Sequence, residues 1–317
     1  MGEARRIASR LAENCQLDTT TRGRLEIIVT ELARNVLVHG KGGEVLLRPW
    51  RTEKSLGVDV VALDKGPGIK DIPQSLRDGY STAGTPGTGL GAVARLGSAF
   101  DIYSKPGSGA AVFCEVSTNG DRSARPGVTC VSKPGEPVPG DGWYFFPAPQ
   151  SVTILVVDGL GHGYGAQEAA KQAMKIVADH HGESLDRLLH RMHLSLAKTR
   201  GAALALVRAD RTKGTIHFMG VGNISGVVCS QTGVQRMVSH NGTVGHIMSR
   251  SQEFQYAWPK GSTLVLWSDG LTTNIDPLAY QGLLNKHPAL VSAVLYRDHT
   301  RGRDDATALV FRDMEAA

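Results

Sequence analysis

Apolar residues recur at helical spacing through Leu25, Ile28, Val29, Leu32 and Val36, which predicts a helix that Gly40, Gly42 and Gly43 bring to a stop. Before it, Met1-Gly-Glu-Ala-Arg-Arg6 opens an amphipathic pattern near Ala4. After it, strand-like segments at 44–48 and 58–63, a Gly-rich loop, a short helix over 90–96 and a strand at 110–116 make an α/β two-layer pattern. The second half alternates differently. A near-continuous apolar run at 152–157 has the length of a buried strand, 167–179 and 185–196 are helical, and short strands follow at 202–207, 215–219, 226–229, 263–267 and 306–311. Helices among many strands suggest sheets packed face to face with helices outside.

Between the halves, residues 118–142 are rich in Gly, Pro, Ser, Asp and Arg, although Val128-Thr-Cys-Val131 has the character of a short strand. The division is therefore expected near Gly120, giving domains 1–120 and 121–317. A length of 317 residues fits two domains, and 41% hydrophobic with 21% charged residues excludes a disordered chain. The net charge of +5 is slight and dispersed, so neither nucleic acid nor a membrane surface is expected as partner. Cys15, Cys114, Cys130 and Cys229 are far apart and read as free thiols of a reducing cytoplasm. The start does not read as a signal peptide, and no apolar run approaches the roughly 20 residues that span a bilayer.

The candidate chemistry of the first half is that of a nucleotide pocket. Glu31, Asn35 and His39 follow one another along one side of the first long helix. Asn35 can offer an amide oxygen to Mg²⁺, a cation that takes hard oxygen ligands. Asp64 ends a strand and is followed by Gly66, Gly68 and Ile69. Its carboxylate can accept from an adenine amino group, and the glycines admit the ring to the backbone. Gly84, Gly87, Thr88, Gly89, Leu90 and Gly91 form a loop running into a helix N-terminus, where free N–H groups favour phosphate. Glu31, one turn before Asn35, is placed to take a proton from an attacking hydroxyl. Taken singly, each feature is commonplace; their order and spacing carry the reading. His39 reads as a helix-terminal residue facing the dipole.

Acidic residues at strand ends dominate the second half. Asp158 follows the 152–157 run and enters Asp158-Gly-Leu-Gly-His-Gly163, where the Gly159 carbonyl is a further oxygen ligand; Asp269 lies in Ser268-Asp-Gly270; Asp304 and Asp305 precede the last strand. Three acidic strand ends can converge on two divalent ions about 3.5–4 Å apart, the arrangement that hydrolyses a phosphoester. His162 is read as a loop histidine or substrate contact before a catalytic acid, and Arg303 as either a phosphate contact or an exposed loop residue. Trp143, Phe145, Phe146 and Trp267 are expected in the core, and His180-His181 at a solvated helix end.

Thr30-Glu-Leu-Ala-Arg-Asn35, Asp64-Lys-Gly-Pro-Gly-Ile69 and Gly79-Tyr-Ser-Thr82 resemble the Bergerat-fold (GHKL) ATPases, most of all the anti-sigma, RsbT/RsbW-like serine kinases, over about residues 3–117. That family usually has a strand before its first helix, whereas this chain begins almost on the helix. Residues 123–312 resemble the SpoIIE-like branch of the PPM metal-dependent phosphatases. The likeness rests on Asp158-Gly-Leu-Gly-His-Gly163, Val221-Gly-Asn-Ile224, Asn241-Gly-Thr-Val-Gly245 and Asp305-x-Thr307, with RsbX-type enzymes nearest. The resemblances imply an α/β (α+β) fold, an N-terminal two-layer GHKL ATPase sandwich followed by a C-terminal PPM-type α-β-β-α phosphatase sandwich. They imply ATP with Mg²⁺ in the first domain, held by Asn35 and Asp64 with Glu31 as base. In the second they imply two Mn²⁺ or Mg²⁺, with Asp158 bridging, Asp269 and Asp304 completing the sites, Asp141 acting through water and Asp305 the secondary member of its pair.

The function so implied is a cytoplasmic switch that phosphorylates and dephosphorylates a serine on a STAS-domain partner. Two alternatives stay open: a phosphatase whose first domain is a nucleotide- or partner-binding module, and a protein that sequesters a sigma factor. A homo-oligomer is compatible with either.

Overall fold

The computed structural model describes residues 1–77, 89–119, 124–248 and 251–313. It forms two compact units, one of Met1–Ser123 with Asn285–Arg297, the other of Ala124–Leu284 with Asp298–Ala317. Residues 285–297, which the sequence reading assigns to the second domain, thus group with the first.

In the first unit, α1 (Gly2–Asn14) leads into α2 (Thr19–Val38). Asp18 starts α2 by accepting from the backbone N–H groups of Thr20 and Thr21, satisfying donors that a helix end leaves free. The stripe Leu25, Ile28, Val29, Leu32 and Val36 is buried, as its spacing predicts. Then come β1 (Gly43–Arg51), β2 (Leu56–Asp64), α3 (Ile72–Ser75), α4 (Gly89–Leu96), β3 (Ala99–Ser104) and β4 (Ala110–Ser117). The strands form an antiparallel sheet in the order β1-β2-β4-β3. Because side chains alternate across a sheet, Val58, Val60, Ala62, Val112, Cys114 and Val116 share one core with the residues of α1, α2 and α4.

Val61 and Phe113, cross-strand partners, are buried on the opposite face. There His287 stacks on Phe113 with ring centroids 4.0 Å apart, and Asp101 accepts from Lys286 Nζ and the His287 backbone N–H. The helix that follows, Pro288–His299, has every residue from Pro288 to Arg297 buried. Buried all round over that stretch, it lacks the one-faced apolar period that marks a surface helix in sequence, and no helix is expected there from the sequence.

The second unit is a sandwich of two five-stranded sheets. One runs β12-β9-β8-β7-β6, with β6 (Asp141–Pro147), β7 (Ser151–Gly159), β8 (Ala202–Asp210), β9 (Thr215–Val221) and β12 (Phe254–Ala257). The other runs β11-β10-β13-β14-β5, with β5 (Gly127–Val131), β10 (Ser225–Ser230), β11 (Gly233–Arg236), β13 (Thr263–Trp267) and β14 (Ala306–Arg312). Ile154, Val156, Phe218, Leu264 and Phe311 fill the space between the sheets. The outer face of the first sheet buries Leu155, Val157 and Leu204 under α5 (Tyr164–His180) and α6 (Leu185–Leu196). Double-sided burial of β7 explains its unbroken apolar run.

Trp267 is in the core, and Trp143 and Phe145 pack partly buried against it. Phe146 is not core: it is half-buried and stacks on His181, at 3.6 Å between centroids. His181 is likewise half-buried rather than solvated. All four cysteines are free, and among the described residues no helix is long and apolar enough to cross a membrane.

Candidate active sites

In the first unit, α2 brings Glu31 and Asn35 to the start of α4. A β-carbon on Gly89 would stand 3.0 Å from Glu31 Oε2 and 3.7 Å from Asn35 Oδ1, so the glycine keeps that space open. Asn35 Nδ2 is buried with no hydrogen-bond partner among the described residues, unusual for an amide unless a ligand is to engage the group. Its backbone carbonyl accepts from the His39 and Gly40 N–H groups, closing the helix. Asp64 stands at the end of β2, where its Oδ1 accepts from the backbone N–H groups of Gly66 (2.8 Å) and Ala110 (3.2 Å). These bonds fix the carboxylate.

Close backbone approach needs the neighbouring glycines: a β-carbon on Gly40 would fall 2.5 Å from Asp64 Cβ, and on Gly109 2.0 Å from the Asp64 carbonyl oxygen. Gly68 adopts φ +71° and Ile69 donates its N–H to Ser104 Oγ. Gly91 is buried in α4 and Leu90 packs against the unit's core. Gly84, Gly87 and Thr88, with the Gly79-Tyr-Ser-Thr82 motif, lie outside the described residues. The oxygen of Asn35, the fixed carboxylate of Asp64 and the N-terminus of α4 fit a magnesium-bound nucleotide.

In the second unit, Asp141 and Asp158 are cross-strand partners at the ends of β6 and β7. Burial first, then the fields of Asp141, Asp269, Asp304 and Asp305, push the Asp158 carboxyl up to about 9. Burial likewise raises Asp141 to about 7, with Asp305 and Asp269 adding to it. Asp269 is raised by burial and by Asp304, against the opposing field of Arg301. Five carboxylates so mutually coupled face one region. Arg301 and a few hydrogen bonds offset this repulsion at Asp269 and Asp141, and like charges gathered so are the condition that bound cations relieve.

Asp141 and Asp305 are 4% and 3% exposed, and each has one buried oxygen, Asp141 Oδ1 and Asp305 Oδ2, without a hydrogen-bond partner among the described residues. Among the described residues no three acidic, histidine or cysteine side chains close on a point as a ready-made cage. Mg²⁺ takes hard oxygen ligands, often one or two carboxylates beside its waters, and these side chains are donors of that kind. This donor chemistry fits Mg²⁺ or Mn²⁺.

Hydrogen bonds orient the carboxylates. Ser268 Oγ, fully buried, donates to Asp141 Oδ2 at 2.6 Å and itself accepts from the Thr307 N–H. Asn223 Nδ2 donates to Asp269 Oδ2 at 2.6 Å, and the Lys133 N–H to Asp305 Oδ1 at 2.8 Å. Asp304 Oδ1 accepts from the Asp305 N–H. Gly270 is indispensable to this packing, since a β-carbon there would lie 1.9 Å from the Asp305 carbonyl oxygen. At Gly159 it would lie 2.1 Å from the Ala166 carbonyl, which brings the Asp158 turn against α5.

His162 Nδ1 pairs with Glu136 Oε1 at 2.5 Å on the surface. Arg303 is exposed, and the arginine whose field reaches Asp269 is Arg301. Asn223 and Ser268 stood in the sequence motifs, but their orienting roles did not show there. For Lys133, which acts through its backbone, no sequence signal exists.

Residues 1–113 match the histidine kinase-like ATPase domain family, and residues 148–313 match the Stage II sporulation protein E (SpoIIE) family. The serine/threonine-protein kinase RsbT of Bacillus subtilis (strain 168) is 33% identical over 106 residues, 33% of this chain and 80% of RsbT. The phosphoserine phosphatase RsbX of the same organism is 22% identical over 144 residues, 44% of this chain and 71% of RsbX. A solved structure from work on the bacterial stressosome as a modular system controlling secondary messenger signalling is 26% identical, with a TM-score of 0.56, and covers 60% of this chain and all of its own. RsbX solved in complex with magnesium shares the fold at a TM-score of 0.53 and 21% identity, over 60% of this chain and 95% of its own. The chain belongs to the Stage II sporulation protein E (SpoIIE) family and carries, ahead of the residues that match it, an RsbT-like domain of the histidine kinase-like ATPase family.

Proposed function

We propose that this chain is a bifunctional regulatory switch of the cytoplasm, phosphorylating a serine of a STAS-domain partner with ATP at one site and hydrolysing the phosphoserine at the other. The observation that carries the reading is the cluster of Asp141, Asp158, Asp269, Asp304 and Asp305, where burial first and the neighbouring carboxylates second push the Asp158 carboxyl up to about 9. Asp158, Asp269 and Asp304 would hold two Mg²⁺ or Mn²⁺, with the Gly159 carbonyl as a further donor, while Asp141 and Asp305 complete the acidic lining. When bound, the ions supply charge neutralisation for the phosphoryl oxygens and activation of the attacking water.

The chain's own groups do the rest. Ser268 and Asn223 hold Asp141 and Asp269 in fixed rotamers, so that reorganisation is not paid for during reaction. In the first unit, Asn35 would hold Mg²⁺, Asp64 the adenine amino group and the start of α4 the phosphates, leaving Glu31 to accept the proton of the substrate serine. RsbT, the relative with a serine/threonine kinase name, favours activity over mere nucleotide binding for this domain.

Opposing activities on one chain dissipate ATP unless the partner or a signal biases one of them. The test is direct. Purified chain is given a STAS protein with labelled ATP and Mg²⁺, and separately the phosphoserine form with Mn²⁺. Serine labelling in the first and phosphate release in the second support the switch. Phosphate release without labelling would reduce it to a phosphatase with a binding module, and co-purification of a sigma factor would favour the sequestering alternative.

A further inference from the structure

Backbone pairing sets Arg301 beside Asp269. The Arg301 N–H donates to the Gly270 carbonyl at 2.8 Å, the Thr272 N–H donates to the His299 carbonyl at 3.0 Å, and Leu271 and Thr300 form an antiparallel bridge. Residues 299–301 therefore run alongside the segment that follows Asp269. His299 locks the pairing from the side, with Nδ1 bonded to Thr272 Oγ1 at 2.9 Å and Nε2 to the Tyr280 hydroxyl at 3.0 Å. Beyond Arg301 the chain passes through Gly302, at φ +64°, to Asp304, so the arginine lies between two candidate metal ligands. A cleft of 360 Å³ opens beside Asp269 and is lined there by Asp269, Asn223 and Thr273. Arg301 Nη2 donates to Thr273 Oγ1 at 3.3 Å, which holds the guanidinium at the edge of that cleft. The side chain is exposed, and among the described residues Thr273 is its one hydrogen-bond partner. Asp269 feels its positive field, yet the two close no ion pair, and the carboxylate accepts from Asn223 instead. Most donors of the guanidinium fork are thus left for a ligand.

We propose that Arg301 is the phosphate-binding side chain of this site, its guanidinium gripping the phosphoryl oxygens of a phosphoserine brought to Asp269 and Asp304. The inference rests on the phosphatase reading above and adds the group that recognises the phosphate itself. It gives to Arg301 the phosphate contact that the sequence offered for Arg303. The warrant is electrostatic. A guanidinium beside carboxylates that hold divalent ions works against those ions, and so it needs another use. Five ionised carboxylates carry more negative charge than two divalent cations supply, so the filled cluster would still repel a phosphomonoester dianion. A guanidinium beside Asp269 offsets that excess, and its planar fork matches two phosphoryl oxygens at once.

Arg301→Gln keeps a donor for Thr273 and removes the charge. In the full chain with Mn²⁺, it should raise the KM for a phosphoserine peptide and the inhibition constant of inorganic phosphate, each by ~10-fold or more, the size of a lost charge-assisted hydrogen bond. Mn²⁺ affinity, read by titration calorimetry without substrate, should hold or tighten, because a positive charge has left the neighbourhood of the ions. Arg301→Lys, which keeps the charge without the fork, should recover part of the phosphate affinity. A side chain that merely braces the 270–273 segment gives a different pattern, in which Mn²⁺ and phosphate affinities fall together. That pattern overturns the assignment and leaves the phosphatase standing. So does a glutamine variant with wild-type KM and phosphate inhibition, or a lysine variant that binds phosphate no better than the glutamine one. Failure of the wild type to hydrolyse phosphoserine with Mn²⁺ removes the phosphatase reading and this inference with it.

Discussion

Replacing Asp158 with asparagine removes the carboxylate that all the others disturb while keeping its shape and much of its hydrogen-bonding capacity. In the metal-free protein the folded chain keeps this carboxyl protonated up to about 9, through burial and the fields of Asp141, Asp269, Asp304 and Asp305, whereas the unfolded chain ionises it near 3.8. A pKa raised by folding gives stability that is fully present below the unfolded value and is lost as pH rises through the folded one. Between 3.8 and neutrality lie roughly three units, worth on the order of 4 kcal/mol at about 1.4 kcal/mol each. Asp158→Asn escapes that loss. Metal-free variant and wild type should be of similar stability near pH 4, and the variant should be the more stable by a few kcal/mol at pH 7. Urea unfolding in a chelator, followed through the transition of the second unit at several pH values, measures the difference. The same variant should lose phosphatase turnover and most of the stabilisation that Mn²⁺ gives the wild type. An Asp158→Asn protein less stable than wild type at pH 7, or an advantage that does not shrink toward pH 4, would refute the claim that burial and the neighbouring carboxylates hold Asp158 protonated.

Cation affinity should climb with pH up to about 9, because ions must displace protons from Asp158 and from Asp141, whose carboxyl is raised to about 7; titration calorimetry with Mn²⁺ reads this, and a flat profile contradicts it. Ser268→Ala leaves Asp141 without its buried donor and should weaken Mn²⁺ binding by ~10-fold or more, at a stability cost of about 1–3 kcal/mol. Asn35→Ala should abolish Mg²⁺-dependent nucleotide binding in fluorescence titrations while phosphoserine hydrolysis continues. Gly109→Ala should lower stability by more than ~1 kcal/mol and weaken ATP binding, since the residue sits at φ +80° with no room for a β-carbon beside the Asp64 carbonyl. Equal affinity for ATP in that variant would mean Asp64 is not held as described.

Much of the fold was legible because it rests on periodicity. The α2 stripe from Leu25 to Val36 and the apolar run of β7 are local patterns with one reading each. The 288–299 helix was not, since burial on all sides erases its period. Strand β6 was hidden differently, its aromatic residues Trp143, Phe145 and Phe146 reading as core without an alternation to mark a strand. Of the acidic residues, Asp158, Asp269, Asp304 and Asp305 stand out as strand-end carboxylates in Gly-rich or paired contexts. Asp141 showed itself only by its resemblance to a family position, and its partnership with Asp158 is a matter of strand register. The Ser268 to Asp141 bond spans 127 residues, and the Lys133 backbone donor to Asp305 spans 172; no local pattern encodes either. The cleft beside Asp269 is assembled from β10, β11 and the segment after β13, so its shape exists only once the sheet forms.

Anomalous diffraction from Mn²⁺-soaked crystals tests the central claim most directly. Two peaks about 3.5–4 Å apart, both within bonding reach of Asp158 and flanked by Asp269 and Asp304, are the expected result. Manganese bound elsewhere with Asp158 uncoordinated would contradict it.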